Sequence, residues 1–246
     1  TEDRRRKLRE TRWAQTEEFS AKVRESQEIA AQSRSADVPI SHERLALELR
    51  ANLDPQACVV HEVDSGSIAL NYLTFGQDRM GYFDTTSAIL GWGVGAAMGV
   101  KLAHPDRQVI SLLGDGAFLF GGDQSLWTAK RYNIPIIIVV ENNGAYDGER
   151  TRIWSRGGEQ PKAGKDMTCF IGEPRVQFTK LAEAYGVASE QVTDPKDLGA
   201  ALKRAANSTR DGEPYLLDVV ISRRGLGADK IWYPAYSLAD ERTRKV

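Results

Sequence analysis

The sequence predicts a doubly wound α/β fold: a mostly parallel sheet with helices on both faces, preceded by a helical leader. Three observations lead there. The apolar runs in "RQVISLL", "IPIIIVVE" and "PYLLDVVIS" are continuous rather than alternating, as in parallel strands buried on both faces. Helical stretches separate them, so strand and helix alternate along the chain. That alternation implies right-handed crossovers, which bring the carboxyl ends of the strands to one edge.

Residues 1–36 are densely charged, lack Pro and Gly, and read as a helix with a thin apolar stripe of Leu8, Trp13, Phe19, Val23 and Ile29. A helix this polar is expected to strap across another surface. A second helix restarts after Pro39, with Ser41 as its N-cap and Glu43 behind it. "ACVVHEV" is a short first strand, and the three runs above are further strands. "GGDQSLWTAKRYN", "VQFTKLAEAYGV" and "PKDLGAALKRAANS" are helices. The expected divisions are a helical leader at 1–38, the α/β domain at 39–224 and a tail or lid at 225–246.

Composition narrows the function. The 246 residues suffice for one large or two small domains with a sizeable core. Charged residues make up 27% and sum to −1, which gives no footprint for nucleic acid or an anionic membrane surface. No apolar stretch approaches the ~20 residues of a membrane span. The charged N-terminus predicts no signal peptide. Cys58 and Cys169 do not form a disulfide framework or a zinc pattern and are expected as reduced thiols in the cytoplasm.

In "SLLGDGAFLFGG", Asp115 stands between Gly114 and Gly116 at the end of one strand. "IPIIIVVENNGAY" ends the next strand on Asn142 and Asn143. Adjacent strands lie about 4.8 Å apart, so Asp115 and Asn143 can present oxygens to one point. A carboxylate, an amide carbonyl and a backbone carbonyl suit a hard cation such as Mg²⁺, which completes its octahedron with phosphate oxygens and water. The glycines let the backbone approach a bulky anion. The helix beginning near Gly121 should point its amino end into the same region. A lone G-D-G is more often a capped turn. Here the spacing, the intervening helix, Pro135 and the asparagine doublet together point to a metal-bridged diphosphate.

"GDGAFLFGGDQSLWTAKRYNIPIIIVVENNGAY" resembles the signature of the thiamine-diphosphate enzymes. The resemblance runs from about Pro39 to Ser222, and is nearest the group of acetohydroxyacid synthase, pyruvate decarboxylase and 2-hydroxyacyl-CoA lyase. It implies Mg²⁺ held by the side chains of Asp115 and Asn143 and the carbonyl of Ala145. Gly114, Gly116, Ala117 and Tyr146 complete that part of the cofactor-binding set. In "FDTTSAILGWGVGAAMG" it implies that Leu90 wedges between the cofactor rings and holds the cofactor bent. The backbones of Ala88 and Leu90 would bond the aminopyrimidine. Ser65 and Gly66 in "VVHEVDSGS" fall where family members contact the diphosphate, although this wording departs from the commoner G-Q-H.

The same region carries a dinucleotide-like G-x-G-x-x-A at Gly91, Gly93 and Ala96, but "YFDTTSA" before it is a poor strand, so dinucleotide binding is set aside. Gly95 to Gly99 read as a helix packing closely on a neighbour. His61 and Glu62 read as structural groups, and His104 falls at the wrong edge of the sheet.

The resemblance also implies an activating glutamate on a pyrimidine-binding domain. The sequence has one α/β unit and no candidate, so that glutamate is expected on a partner chain of a hetero-oligomer or on the rest of a longer chain. The expected reaction makes or breaks a C–C bond next to a carbonyl of a small 2-oxo or 2-hydroxyacyl substrate, CoA-linked or free. The alternatives are a subunit of a 2-oxoacid dehydrogenase or oxidoreductase, and a non-catalytic cofactor-binding partner. Arg150, Arg152 and Arg156 are candidates for binding a carboxylate or a CoA phosphate. Trp232, Tyr233 and Tyr236 are candidates for closing over the site.

Overall fold

Continuous apolar strands need cover on both faces, and the computed structural model, which describes residues 2–63, 71–73, 75, 78, 80–85 and 89–233, provides it. The strands are β1 (Cys58–Glu62), β2 (Tyr82–Phe83), β3 (Val109–Gly114), β4 (Ile137–Asn142), β5 (Ala188–Val192) and β6 (Tyr215–Val220). They form one sheet in the order β2-β1-β3-β4-β6-β5. Every pairing is parallel. The helices are α1 (Glu2–Ser33), α2 (His42–Asn52), α3 (Gly93–Ala103), α4 (Asp115–Phe118), α5 (Gly122–Arg131), α6 (Asp147–Arg156), α7 (Glu159–Ala163), α8 (Phe178–Ala184) and α9 (Leu198–Arg210).

The pleat divides the core in two. Ile110, Leu112, Ile137, Val139, Leu217 and Val219 pack under α2 and α9. Val109, Leu113, Ile138, Val140 and Leu216 pack under α3, α5 and α8. The doubly wound α/β expectation therefore holds. Ser41 caps α2, its Oγ accepting from the Arg44 amide at 3.1 Å. The end of α1 docks on the domain through buried Ala31, the Arg50–Glu28 pair at 2.7 Å and a hydrogen bond from the Tyr72 hydroxyl to the Gln27 carbonyl. Farther back, Trp13 and Phe19 remain 65% and 69% exposed.

Three local expectations change. "DGERTRIWSR" forms helix α6, an element absent from the sequence reading; its N-cap, Tyr146, makes no side-chain cap bond to announce it. "ASEQV" is edge strand β5, invisible as an apolar run because much of it faces solvent. Among the described residues Gly95 and Gly99 do not pack closely on a neighbour: a Cβ at either would meet nothing there within 4 Å. The close approach is at Gly93, where a Cβ would lie 2.6 Å from Glu62 Oε2. Both cysteines are buried and unbonded to each other. No described helix is long and apolar enough to cross a membrane.

Candidate functional site

Gly114 stands opposite Glu141, so β3 and β4 end side by side at the carboxyl edge. Asp115 follows, 3% exposed. Its Oδ1 accepts from the Gly116 amide at 2.8 Å and its Oδ2 from the Gly144 amide at 2.6 Å. The carboxylate thus ties the end of β3 to the turn after β4, which brings Asp115 and Asn143 together. Asn143 is buried, and its Oδ1 accepts from the Ala145 amide at 2.9 Å. Gly144 makes this turn at φ +68°, and a Cβ there would sit 3.1 Å from Gly172 Cα. The Tyr146 amide to the Cys169 carbonyl and the Ile171 amide to the Gly144 carbonyl, both 2.8 Å, pin the turn to the segment before α8. Gly116 packs against the Tyr146 ring so closely that a Cβ would collide with it. A Cβ on Gly114 would meet nothing within 4 Å among the described residues. Ala117 is buried in α4.

Burial lifts the Asp115 carboxyl to about 7; the Gly116 and Gly144 amides pull it back, and the nearby Asp147 and Asp218 carboxylates push it further up. The oxygens gathered here are a carboxylate, an amide and backbone carbonyls, a donor set that fits a hard cation. Among the described residues no three His, Cys, Asp or Glu side chains converge as a transition-metal cluster would.

The neighbouring cluster differs from a dinucleotide site. Glu62 turns its carboxylate onto the amino end of α3: Oε1 accepts from the Gly91 and Trp92 amides at 2.5 and 3.4 Å, and Oε2 from the Gly93 amide at 2.7 Å. Burial raises its pKa, and those three amides oppose the rise. The chain's own carboxylate thus occupies the place a pyrophosphate takes at such a helix end. Leu90 is half-buried and packs against the α3 side of the core, while Ile89 beside it is 75% exposed. Gly121, the N-cap of α5, packs against Gly91, so the amino end of α5 lies beside this loop.

His61 is buried on β1, its pKa lowered by burial against the opposing charges of Glu141 and Asp84. His104 ends α3 before β3, at the opposite edge. Arg150 is not available to a substrate. It is wholly buried, pairs with buried Asp147, and donates to the carbonyls of Arg224 and Leu226. Arg152 is exposed and pairs with Glu149. Arg156 is exposed at the end of α6. Trp232 is half-buried and Tyr233 exposed. Ser65, Gly66, Ala88 and Tyr236 lie outside the described residues. Sequence reasoning passed over Asp147 and Asp218, which bear on Asp115. An aspartate inside "LLDVV" was the available signal, because a buried charge in an apolar strand calls for a reason.

Residues 64–219 match the family model of the thiamine pyrophosphate enzyme C-terminal TPP-binding domain. The chain is 36% identical over 140 residues to benzoylformate decarboxylase of Pseudomonas aeruginosa, covering 56% of this chain and 24% of that protein. It is 29% identical over 202 residues to 2-hydroxyacyl-CoA lyase 1 of Mus musculus, covering 80% of this chain and 34% of that protein. A solved structure, the thiamine diphosphate-dependent 4-hydroxybenzoylformate decarboxylase of Rhodococcus jostii RHA1, superposes with a TM-score of 0.65 at 33% identity, over 74% of this chain and 32% of that one. The chain thus spans about a third or less of the length of these relatives. A family match across most of the α/β domain, on a sheet whose strand ends carry the G-D-G and N-N residues side by side, places this chain in the thiamine pyrophosphate enzyme family, as its C-terminal TPP-binding domain.

Proposed function

We infer that this chain is the diphosphate-binding part of a thiamine-diphosphate- and Mg²⁺-dependent enzyme that makes or breaks a C–C bond next to a carbonyl. The observation that carries this is Asp115: a buried carboxylate at a strand end, lifted to about 7 and tied to the amide of Gly144 in the turn that carries Asn143. Asp115, Asn143 and the Ala145 carbonyl would hold the cation. Gly114, Gly116, Ala117 and Tyr146 would line the diphosphate, joined by Ser65 and Gly66 from the exit of β1. Leu90 and the Ala88 backbone would support the pyrimidine end.

When bound, the cofactor supplies a nucleophilic carbon and an electron sink for charge developing beside a carbonyl. The residues of this chain bind and orient. The pinned turn at 143–145 fixes two oxygens relative to Asp115, and the packed Gly116–Tyr146 contact holds the backbone that faces the diphosphate. Glu62 is engaged by three amides of α3, so its carboxylate is already committed. This is compatible with an activating glutamate from a pyrimidine-binding domain, on a partner chain of a cytoplasmic hetero-oligomer or on the rest of a longer chain. The division into a leader at 1–38, a domain at 39–224 and a tail or lid at 225–246 belongs to the same reading. A small 2-oxo or 2-hydroxyacyl substrate, free or CoA-linked, fits the decarboxylase and lyase relatives.

The test is Mn²⁺ binding, as a probe for Mg²⁺, followed by electron paramagnetic resonance on the chain in its native assembly. Thiamine diphosphate should tighten Mn²⁺ binding to one site per chain, and Asp115→Ala should abolish that site. An assembly in which thiamine diphosphate leaves Mn²⁺ binding unchanged would refute the reading.

A further inference from the structure

A carboxylate stands in β6 where a buried strand is otherwise apolar. Asp218 is wholly buried. Its Oδ1 accepts from Asn142 Nδ2 at 2.8 Å, and its Oδ2 from Gln191 Nε2 at 2.7 Å. Gln191 stands opposite it on β5. Asn142 sits diagonally on β4, two places beyond Val140, the partner of Asp218. An amide–carboxylate–amide row therefore ties three neighbouring strands.

A carboxylate only accepts, so both amides must turn their NH₂ groups toward it. That fixes the side chain of Asn142, the last residue of β4 and the one immediately before Asn143. Core stability gives no reason for the row. Well-packed apolar residues would fill these places at no greater cost, since buried charge carries a desolvation penalty. What the row does accomplish is to clamp the end of β4 from the side opposite β3.

We propose that Asp218 is a positioning residue for the cation end of the site: through Asn142 it sets the end of β4, and with it the turn that presents the Asn143 amide and the Ala145 carbonyl. This rests on the reading of Asp115, Asn143 and Ala145 as cation ligands. Asp218 does not itself reach the cation. Its effect passes through Asn142, and ligand sets tolerate misplacements of only about 0.5 Å.

The experiment measures Mn²⁺ affinity in the presence of thiamine diphosphate, on the chain in its assembly, alongside circular dichroism and thermal unfolding. Asp218→Leu keeps roughly the volume but accepts nothing, so Asn142 Nδ2 loses its partner. Mn²⁺ affinity should fall about ten- to hundredfold, as for other groups that orient ligands from behind, with the secondary structure intact. Asp218→Asn, whose Oδ1 can still accept from Asn142 while its NH₂ donates to a flipped Gln191 amide, should keep most of the affinity. Gln191→Ala leaves Asn142 held, so it should lower the thermal midpoint without changing affinity. A folded Asp218→Leu chain with wild-type affinity overturns the proposal. Should that variant not fold, Asn142→Ala, which cuts the same link and leaves Gln191 on Asp218, decides: wild-type affinity overturns the proposal and a loss supports it. A wild-type assembly without thiamine-diphosphate-dependent Mn²⁺ binding overturns the cation reading, and this proposal with it.

Discussion

Replacing Asp115 by Asn in the metal-free chain removes a charge and keeps the shape. Burial lifts the wild-type carboxyl from 3.8 to about 7. At 1.36 kcal/mol per pH unit, the gap amounts to about 4 kcal/mol. The folded state holds this proton more tightly than the unfolded one. Stability is therefore highest below 3.8, falls as the pH rises to about 7, and is level above that. Asparagine carries no such cost. It keeps the bond from the Gly116 amide but turns an NH₂ toward the Gly144 amide, a loss of about 1–3 kcal/mol. The balance makes metal-free Asp115→Asn more stable than wild type by about 1–3 kcal/mol at pH 8 and less stable at pH 4, with a crossing between about pH 4.5 and 6. Urea unfolding in chelator at both pH values measures it. Mg²⁺ with thiamine diphosphate should reverse the order at pH 8, because only wild type gains ligand stabilisation, about 2.7 kcal/mol at a hundredfold excess over Kd. If the variant is less stable by the same margin at both pH values, the Asp115 charge is already compensated within the chain and the case for an external cation falls.

Other substitutions separate local causes. Gly144→Ala should cost about 1–2 kcal/mol for the left-handed backbone alone. Contact with Gly172 Cα adds to that. Gly164→Ala, at φ +64° with open space around it, shows the backbone part by itself, so equal losses in denaturant unfolding would remove the Gly172 contact as a cause. Arg150→Met takes the nearest cation from the buried Asp147 carboxylate, leaving it the Arg224 amide and Arg223 at 3.7 Å, and should cost about 3 kcal/mol, whereas Arg152→Ala, on an exposed ion pair, should stay within about 0.5 kcal/mol. Thermal unfolding compares the two, and an Arg150 variant as stable as wild type would mean that Asp147 is satisfied without it. Gly95→Ala fills an open position inside α3 and should stabilise the chain by about 1 kcal/mol in urea titrations; a loss would show a neighbour at that face.

Strands β3, β4 and β6 were legible as long, largely apolar runs and β1 as a short one, and the α2 cap because Ser41 is a side-chain acceptor at the right place. The edge strand β5 was hidden because an edge exposed to solvent need not be apolar. Helix α6 was hidden because a tertiary clasp, rather than a cap, holds it. Arg150 and Asp147 lock it to the loop after β6, a contact no local pattern announces. At the site, Asp115 and Asn143 could be placed from strand ends alone. Glu62 and Asp218 could not be assigned partners, since a helix start and two other strands supply them.

The carboxyl edge of this sheet is crowded with buried acids, and their differing fates single one out. Glu141 is held by His42 at 3.0 Å; burial pushes that histidine's pKa down, but the hydrogen bond and charge of Glu141 outweigh burial and leave it raised. Asp147 is paired with Arg150, and Asp166 with Arg223 at 2.8 Å. Glu62 has three amides at a helix start, and Asp218 has two side-chain amides. Asp115 has two backbone amides set against the like charges of Asp147 and Asp218. Glu141, Asp147 and Asp166 are thus compensated by His or Arg partners within the chain, whereas Asp115, Glu62 and Asp218 have amides and burial lifts all three. Asp115 differs from Glu62 and Asp218 in having the like charges of Asp147 and Asp218 set against it, and a divalent cation bound to an anionic ligand would compensate it. The charge pattern thus supports a binding edge independently of the motif. It also predicts that chelation, rather than loss of any single hydrogen bond, is the perturbation to which this edge responds most strongly at pH 8.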